Sequence, residues 1–338
     1  GEEIEFKIYD ANYGTILDLE TPTEVSGWGP NNEIVVLFGV SSAENDLANG
    51  CMDEFACNYD EGANFDDGSC EYSCHNNGDY SLNFDGENDY VLIPDNNSLD
   101  FEPGNSYSIQ LRFKTNYGSN VDPAEVLLAK ADAPFKGWQV FIAPDPPDSG
   151  NPLLFHAGSD SPYLFGPTIS SYDDGSFHDI TIVYNHIEDL AYFYFDHISE
   201  DASPYAILGG YSSLDLSNDN NLYFAADRNP EDGVGFYNGM INDVKIWHKA
   251  LSSSEIIQIN TFNNFDYNDE LLVGHWDFNS GEGEILYDHS GNQNHGTIHG
   301  AIWQADVYGC MDELACNYNE NANIADDSCE YAEDFGWC

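Results

Sequence analysis

Eight cysteines and 61 acidic side chains are the residues of this 338-residue sequence with the most chemistry to offer. The cysteines fall in two short stretches, Cys51, Cys57, Cys70 and Cys74, then Cys310, Cys316, Cys329 and Cys338. An even count in each stretch, with no histidine at zinc-like spacing, reads as disulfides made in an oxidising compartment, with zinc as the alternative. Four cysteines permit three pairings, and spacing alone does not choose between them. The two stretches are copies of one motif. GCMDEFACNYDEGANFDDGSCEY (residues 50–72) and GCMDELACNYNENANIADDSCEY (residues 309–331) agree at 17 of 23 positions without a gap, at a constant offset of 259 residues. The chain thus holds a little more than one period of a repeat. A unit of about 25 residues is too small for a hydrophobic core, so crosslinks worth a few kcal/mol each would be its main support.

Acids common to both copies are Asp53 and Asp312, Glu54 and Glu313, Glu61 and Glu320, Asp67 and Asp326, and Glu71 and Glu330. Such density in a stapled loop suggests calcium, with Asp53, Asp67, Glu71, Asp312, Asp326 and Glu330 as candidate ligands, although the spacing does not fit an EF-hand loop. The competing reading is that Asp67 and Asn58 make turn bonds to nearby backbone. Over the whole chain only eight Lys and Arg oppose the acids, a formal charge of -53. That argues against nucleic acid and anionic membranes as partners, since both need a cationic footprint. The longest apolar run, residues 34–40, is far short of the roughly 18 residues that cross a bilayer. Phenylalanine, tyrosine and tryptophan make up 14% of the chain, too much for an acidic disordered tail. No leader precedes Gly1, so an export signal is expected to have been removed or to lie outside this sequence.

Between the two motifs, short apolar and aromatic runs alternate with Gly, Asn, Asp and Ser clusters: YSLNF, YVLI, YSIQLRF, EVLLAK, WQVFIA, PLLFHA, HDITIVYN, LAYFYF, LYFAA and DVKIWH. Strands of this length at this spacing predict an all-β, antiparallel sandwich. The one helical signal is LSSSEIIQINTF, where a serine-rich start and Glu255 predict a capped turn or short helix. Residues 1–49 read as the C-terminal part of a preceding β-domain, including a strand in NNEIVVLFGV. The expected organisation is that segment, a cysteine module over 50–74, the sandwich over 75–308 and a second module over 309–338.

Three blocks carry a resemblance: SLNFDGENDYVLIPDNNSLDF, FYNGMINDVKIWHKALSSSEI and GHWDFNSGEGEILYDHSGNQNHGTIHGAIW. In this order they resemble the laminin-G-like, concanavalin A-like lectin superfamily, which implies a jelly-roll sandwich with binding loops at a rim. The fold hosts binders, spacers and glycosidases alike. A retaining glycosidase needs two carboxylates about 5–5.5 Å apart. No strand of the Glu-x-Asp-x-x-Glu form that supplies them is present, so no catalysis is expected. The resemblance implies a calcium site near the sheet edge, with Asp85, Asp243 and Asp288 as matching positions. Asp288 and Asn292 read better as turn residues beside glycine. His275, His289, His295 and His299 read as surface or turn residues in preference to a transition-metal site. Trp138, Trp247, Trp276 and Trp303 read as core. Tyr163, Tyr172, Tyr205 and Tyr211 lie in polar loops, where a ring could stack on a sugar.

The cysteine motif resembles a short module found between domains of very large exported proteins of marine Bacteroidota. Because the second cysteine is often missing there, the resemblance implies the pairs Cys51–Cys70 and Cys310–Cys329, leaving Cys57–Cys74 and Cys316–Cys338. It also implies type IX export. Taken together, the expectation is an extracellular or cell-surface repeat unit of an adhesin-like protein. Its sandwich would be non-catalytic and calcium-stabilised and would bind a glycan or protein, with neighbouring repeats as further partners. The alternative is a structural repeat of a filament or stalk with no ligand.

Overall fold

The computed structural model describes residues 6–10, 15–19, 48–115, 124–132, 136–144, 150, 152–158, 163–199, 203–210, 214–262, 265, 269–326 and 328–331. Near the N-terminus β1 (Phe6–Asp10) and β2 (Thr15–Leu19) form an antiparallel hairpin; the strand expected over 31–40 lies outside the described residues. The first cysteine module contains β3 (Asn49–Gly50) and β4 (Phe65–Asp66), paired in parallel.

Among the described residues, sixteen strands and one α-helix follow. They are β5 (Tyr80–Asp85), β6 (Tyr90–Ile93), β7 (Tyr107–Thr115), β8 (Glu125–Asp132), β9 (Lys136–Ile142), β10 (Leu153–Ala157), β11 (Leu164–Phe165), β12 (His178–Asn185) and β13 (Leu190–Phe195), then β14 (Ala206–Gly209), β15 (Leu222–Phe224), β16 (Asn238–Trp247), α1 (Ser253–Phe262), β17 (Leu272–Trp276), β18 (Ile285–Leu286), β19 (Gly296–His299) and β20 (Ile302–Ala305). In the second module β21 (Tyr308–Gly309) and β22 (Ile324–Ala325) repeat the parallel pair.

The strands form two antiparallel sheets. One runs β11-β10-β9-β8-β15-β6-β19-β18, the other β14-β13-β12-β7-β16-β5-β20, with β17 also on β16. Alternation decides what each face does. On β7, Ile109, Leu111 and Phe113 join the main core with Phe84, Trp138, Ile180, Phe193, Phe224 and Trp276. The intervening Ser108, Gln110, Arg112 and Lys114 therefore face away from it. A smaller apolar cluster on that outer face, with Val183, Tyr194, Trp247, Leu251, Ile256, Ile259 and Leu272, seats α1. The helix begins with reciprocal bonds between Ser252 and Glu255: the Ser252 amide donates to Glu255 Oε2 at 2.8 Å and the Glu255 amide to Ser252 Oγ at 3.3 Å. Trp303 is only partly buried at the edge of the main core. The fully buried Lys130 is bound by Asp95 at 2.7 Å, Asp100 at 3.2 Å and the carbonyls of Asn218 and Asn220, so this cation pins the fold.

The modules are stapled by disulfides joining Cys51 to Cys70, Cys57 to Cys74 and Cys310 to Cys329. Cys316 is also disulfide-bonded, while Cys338 lies outside the described residues.

Candidate functional site

The outer face of the second sheet carries a set of polar side chains brought together by strand register. Arg112 on β7 lies opposite Asp179 of β12 on one side and Asp243 of β16 on the other. One rung along, Gln110 lies between Thr181 and Lys245, and Lys245 pairs in turn with His275 of β17. A bulge between Ile241 and Asp243 leaves Asn242 as an extra residue on β16. Gly239, just before it, lets the strand come close, since a Cβ there would sit 2.5 Å from the Lys114 carbonyl oxygen.

Arg112 Nη1 donates to Asp179 Oδ2 at 2.8 Å, and Lys245 Nζ donates to Asp243 Oδ2. His275 Nε2 stands 3.5 Å from Asp243 Oδ1. Gln110 donates to Asn260 of α1 and, at 3.4 Å, to Thr181 Oγ1. Asn242 Nδ2 donates to the Tyr80 carbonyl and to Asp306 Oδ2, each at 2.9 Å. Gln110, Arg112, Asp179, Asn242, Asp243 and Tyr308 line a cleft of about 180 Å³, which adjoins a second of about 210 Å³ reaching His275, Asp277 and Asn279. Tyr308 is 45% exposed, an aromatic face at the mouth. Gln110 Oε1 is buried with no hydrogen-bond partner among the described residues, and Asp243 Oδ1 is buried with only the long contact to His275.

Charge splits across the cleft. Burial pushes the Asp179 carboxyl up to about 6, with Arg112 pulling it down and Asp196 and Asp243 adding to the rise. Burial works on Asp243 in the same direction, but Lys245 and His275 overcome it and hold that carboxyl well below the usual range. His275 is lowered by burial, against the pull of Asp243. Two carboxyls driven apart in this way would suit acid–base chemistry. Here each is tied into an ion pair, Asp179 with Arg112 and Asp243 with Lys245, which suits holding a polar ligand.

The other residues singled out in the sequence take up different positions. Asp85 is exposed, its Oδ1 accepting from the amides of Glu87 at 2.8 Å and Asn88 at 3.3 Å, a turn cap. Asp288 is wholly buried and saturated by four donors, the amides of His275, Ser290 and Asn294 and the Ser290 hydroxyl, each at 2.9 Å. Asp67 and Asp326 accept from the amides of Ser69 and Ser328, each at 3.0 Å. Glu71 accepts from Ser73 Oγ at 2.8 Å, and Glu330 is exposed. Calcium requires roughly six to eight converging oxygens. Among the described residues, the only close group of three His, Cys, Asp or Glu is Cys57, Cys74 and His75, where the two sulfurs are bonded to each other. Among the described residues, no three of these acids converge on one point.

Tyr172 is fully buried, its ring 5.9 Å from Phe113, so it offers no face to a sugar. Tyr163 and Tyr205 are exposed, Tyr163 stacking on His156 at 4.3 Å. Tyr211 lies outside the described residues.

Asp53 belongs to a second constellation, where the first module meets the sandwich. Its Oδ2 accepts from Tyr72 at 2.5 Å and from His295 Nε2 at 2.6 Å, and its Oδ1 from the Phe55 amide at 2.9 Å. The Asp288 amide donates to His295 Nδ1 at 2.9 Å, which makes Nε2 the protonated nitrogen of a neutral ring. Around this relay His75 stacks on Tyr287 at 3.8 Å, and Tyr72 lies 5.0 Å from His295 and 5.7 Å from His289. Burial alone would raise the Asp53 carboxyl, but the bonds from Tyr72, His295 and Phe55 hold it below the ordinary value.

Gln110, Arg112, Asp179, Asn242 and Lys245 are absent from the sequence-level candidates. The available signal was the alternation in YSIQLRFKT, which puts two of the chain's eight cations on one non-core face.

This two-sheet arrangement is that of a concanavalin A-like lectin domain. Residues 85–257, just over half of the chain, match the laminin G form of the concanavalin A-like lectin/glucanases superfamily, and the chain belongs to that family. Among solved structures it is similar to a candidate carbohydrate-binding protein from Bacteroides ovatus, at 14% identity and a TM-score of 0.50, covering 67% of this chain and 60% of that one. A heptameric pentraxin from Limulus polyphemus matches at 14% identity and a TM-score of 0.42, over 55% of this chain and 84% of its own. The mouse laminin α1 chain matches at 15% identity and a TM-score of 0.36, over 52% and 43%. These likenesses speak to fold alone. No curated protein matches the chain. Disulfides in the modules that flank a lectin-like domain are consistent with an extracellular location.

Proposed function

We propose that the sandwich is a non-catalytic glycan-binding domain whose ligand sits in the cleft at Gln110, Arg112, Asp179, Asn242, Asp243 and Tyr308. The observation that carries this is a buried acceptor, Gln110 Oε1, with no hydrogen-bond partner among the described residues, beside a half-exposed tyrosine. A buried acceptor is costly when unmatched, and a sugar hydroxyl is a donor that would satisfy Gln110 Oε1 while the ring lies against Tyr308. A net charge of -53 repels acidic glycans, so the ligand is a neutral sugar. The Bacteroides ovatus neighbour is in keeping with carbohydrate recognition on this fold.

A glycan array followed by calorimetry on the full chain tests this. Gln110→Met and Tyr308→Ala should each weaken binding by tenfold or more without lowering the melting temperature. No binding to any neutral glycan, or hydrolysis of one at pH 5 that Asp179→Asn abolishes, would replace this reading with a structural or an enzymatic one.

The structural alternative, a repeat that spaces or stiffens an extracellular array, draws support from the tight seating of the first module on the sandwich. Export by the type IX pathway and membership of a large adhesin belong to the same reading. Both are compatible with binding in the outer-face cleft.

A further inference from the structure

The two modules are built alike inside. Tyr72 donates to Asp53 Oδ2 at 2.5 Å, and Tyr331 to Asp312 Oδ2 at 2.7 Å. The Phe55 amide bonds Asp53 Oδ1 and the Leu314 amide bonds Asp312 Oδ1, both at 2.9 Å. Asn58 and Asn317 each donate to a serine carbonyl at 2.6 Å. Their surroundings differ. Asp53 and Tyr72 are 8% and 3% exposed, covered by His295, His289 and Tyr287 of the sandwich. On the second module Leu314 is 83% exposed, and Asp312 and Tyr331 are only partly buried.

We propose that the Asp312, Leu314 and Tyr331 face of the second module is a docking surface for a further concanavalin A-like sandwich, one that presents a histidine and a tyrosine equivalent to His295 and Tyr287. The interface within this chain supplies the template: the same aspartate–tyrosine pair already receives an imidazole N–H in the first module. A second copy of this chain is not the occupant, because its own first module covers the His295 and Tyr287 surface. The occupant is therefore a sandwich that follows the second module in one polypeptide, and successive units lock in a fixed orientation. The proposal is independent of glycan binding, since the cleft at Gln110 contains no residue of this face.

The test is a two-unit chain. Cys338 stands 259 residues after Asp79, so residues 80–338 appended after Cys338 place a second sandwich at the spacing that the first module has to its own. Hydrogen exchange at the Leu314 and Ala315 amides should slow by tenfold or more relative to the single-unit chain, and small-angle scattering should show one rigid arrangement. His295→Gln in the appended sandwich alone should abolish both effects without touching the module's fold. Leu314→Phe, restoring the residue found at position 55, should strengthen the protection. Unchanged exchange with independently moving sandwiches would overturn the proposal. Concentration-dependent dimers of the single-unit chain that bury Leu314 would overturn it equally.

Discussion

The two cysteine modules share most of their residues and their internal hydrogen bonds, yet the first has its aspartate and tyrosine closed into an interface with the sandwich, while the second leaves Leu314 exposed and Asp312 and Tyr331 only partly buried. The difference teaches where such a module gets its stability. Disulfides restrict the unfolded chain, but they do not bury Tyr72 or supply the sandwich-side hydrogen bond to Asp53. That is done by His295, whose ring is oriented by the Asp288 amide, by Tyr287 and by His289.

The largest expected effect follows directly. Asp53→Ala removes the acceptor for Tyr72, His295 and the Phe55 amide within a nearly closed interface, and should cost about 2–3 kcal/mol in chemical denaturation. Asp312→Ala removes an equivalent acceptor in an exposed setting and should leave the denaturation midpoint unmoved. Equal losses at the two positions would mean that the internal turn, and not docking, is what the aspartate supports.

Acid should separate the modules next. Asp53 has a carboxyl held below its ordinary value of 3.8 by its hydrogen bonds, so its stabilising contribution is complete above that pH and is lost as the pH falls through the depressed value. Hydrogen exchange at the Phe55 amide should therefore accelerate below about pH 3.8, with the module detaching from the sandwich before the core melts. Asp312 is lowered as well, by the Leu314 amide and Tyr331, but its protonation releases no interface. A Phe55 amide that stays protected down to global unfolding would show that apolar packing alone holds the module.

How much of this could be read from the residues depends on the distance over which each contact acts. The sandwich was legible because alternation and turn clusters are local, and the helix because Ser252 and Glu255 are three residues apart. The Arg112 and Asp179 pair spans 67 residues and depends on the register of β7 against β12, which no local pattern specifies. His295 is a harder case. Read alone it is a turn residue before a glycine; its role requires an acid 242 residues away in another module. Asp288 read as a turn residue, which the saturated carboxylate fits, but its amide also sets the His295 tautomer, and nothing in DHSGNQN signals that.

The smallest effect concerns a contact that only one module makes. Gln293 Nε2 donates to Asp66 Oδ2 at 2.8 Å, joining the sandwich to the first module at an exposed edge. The second module has Ala325 at the matching position, so a sandwich docked there would lack this bond. If the aspartate–tyrosine–histidine relay is the shared recognition element and Asp66 only an accessory, Gln293→Ala should cost under about 0.5 kcal/mol, as exposed polar substitutions do. It should also leave exchange at the Phe55 amide unchanged. A loss rivalling that of Asp53→Ala would make Asp66 an essential part of docking. The Ala325 module would then be unable to seat a sandwich in the same way, and the likeness between the two faces would end at their internal hydrogen bonds.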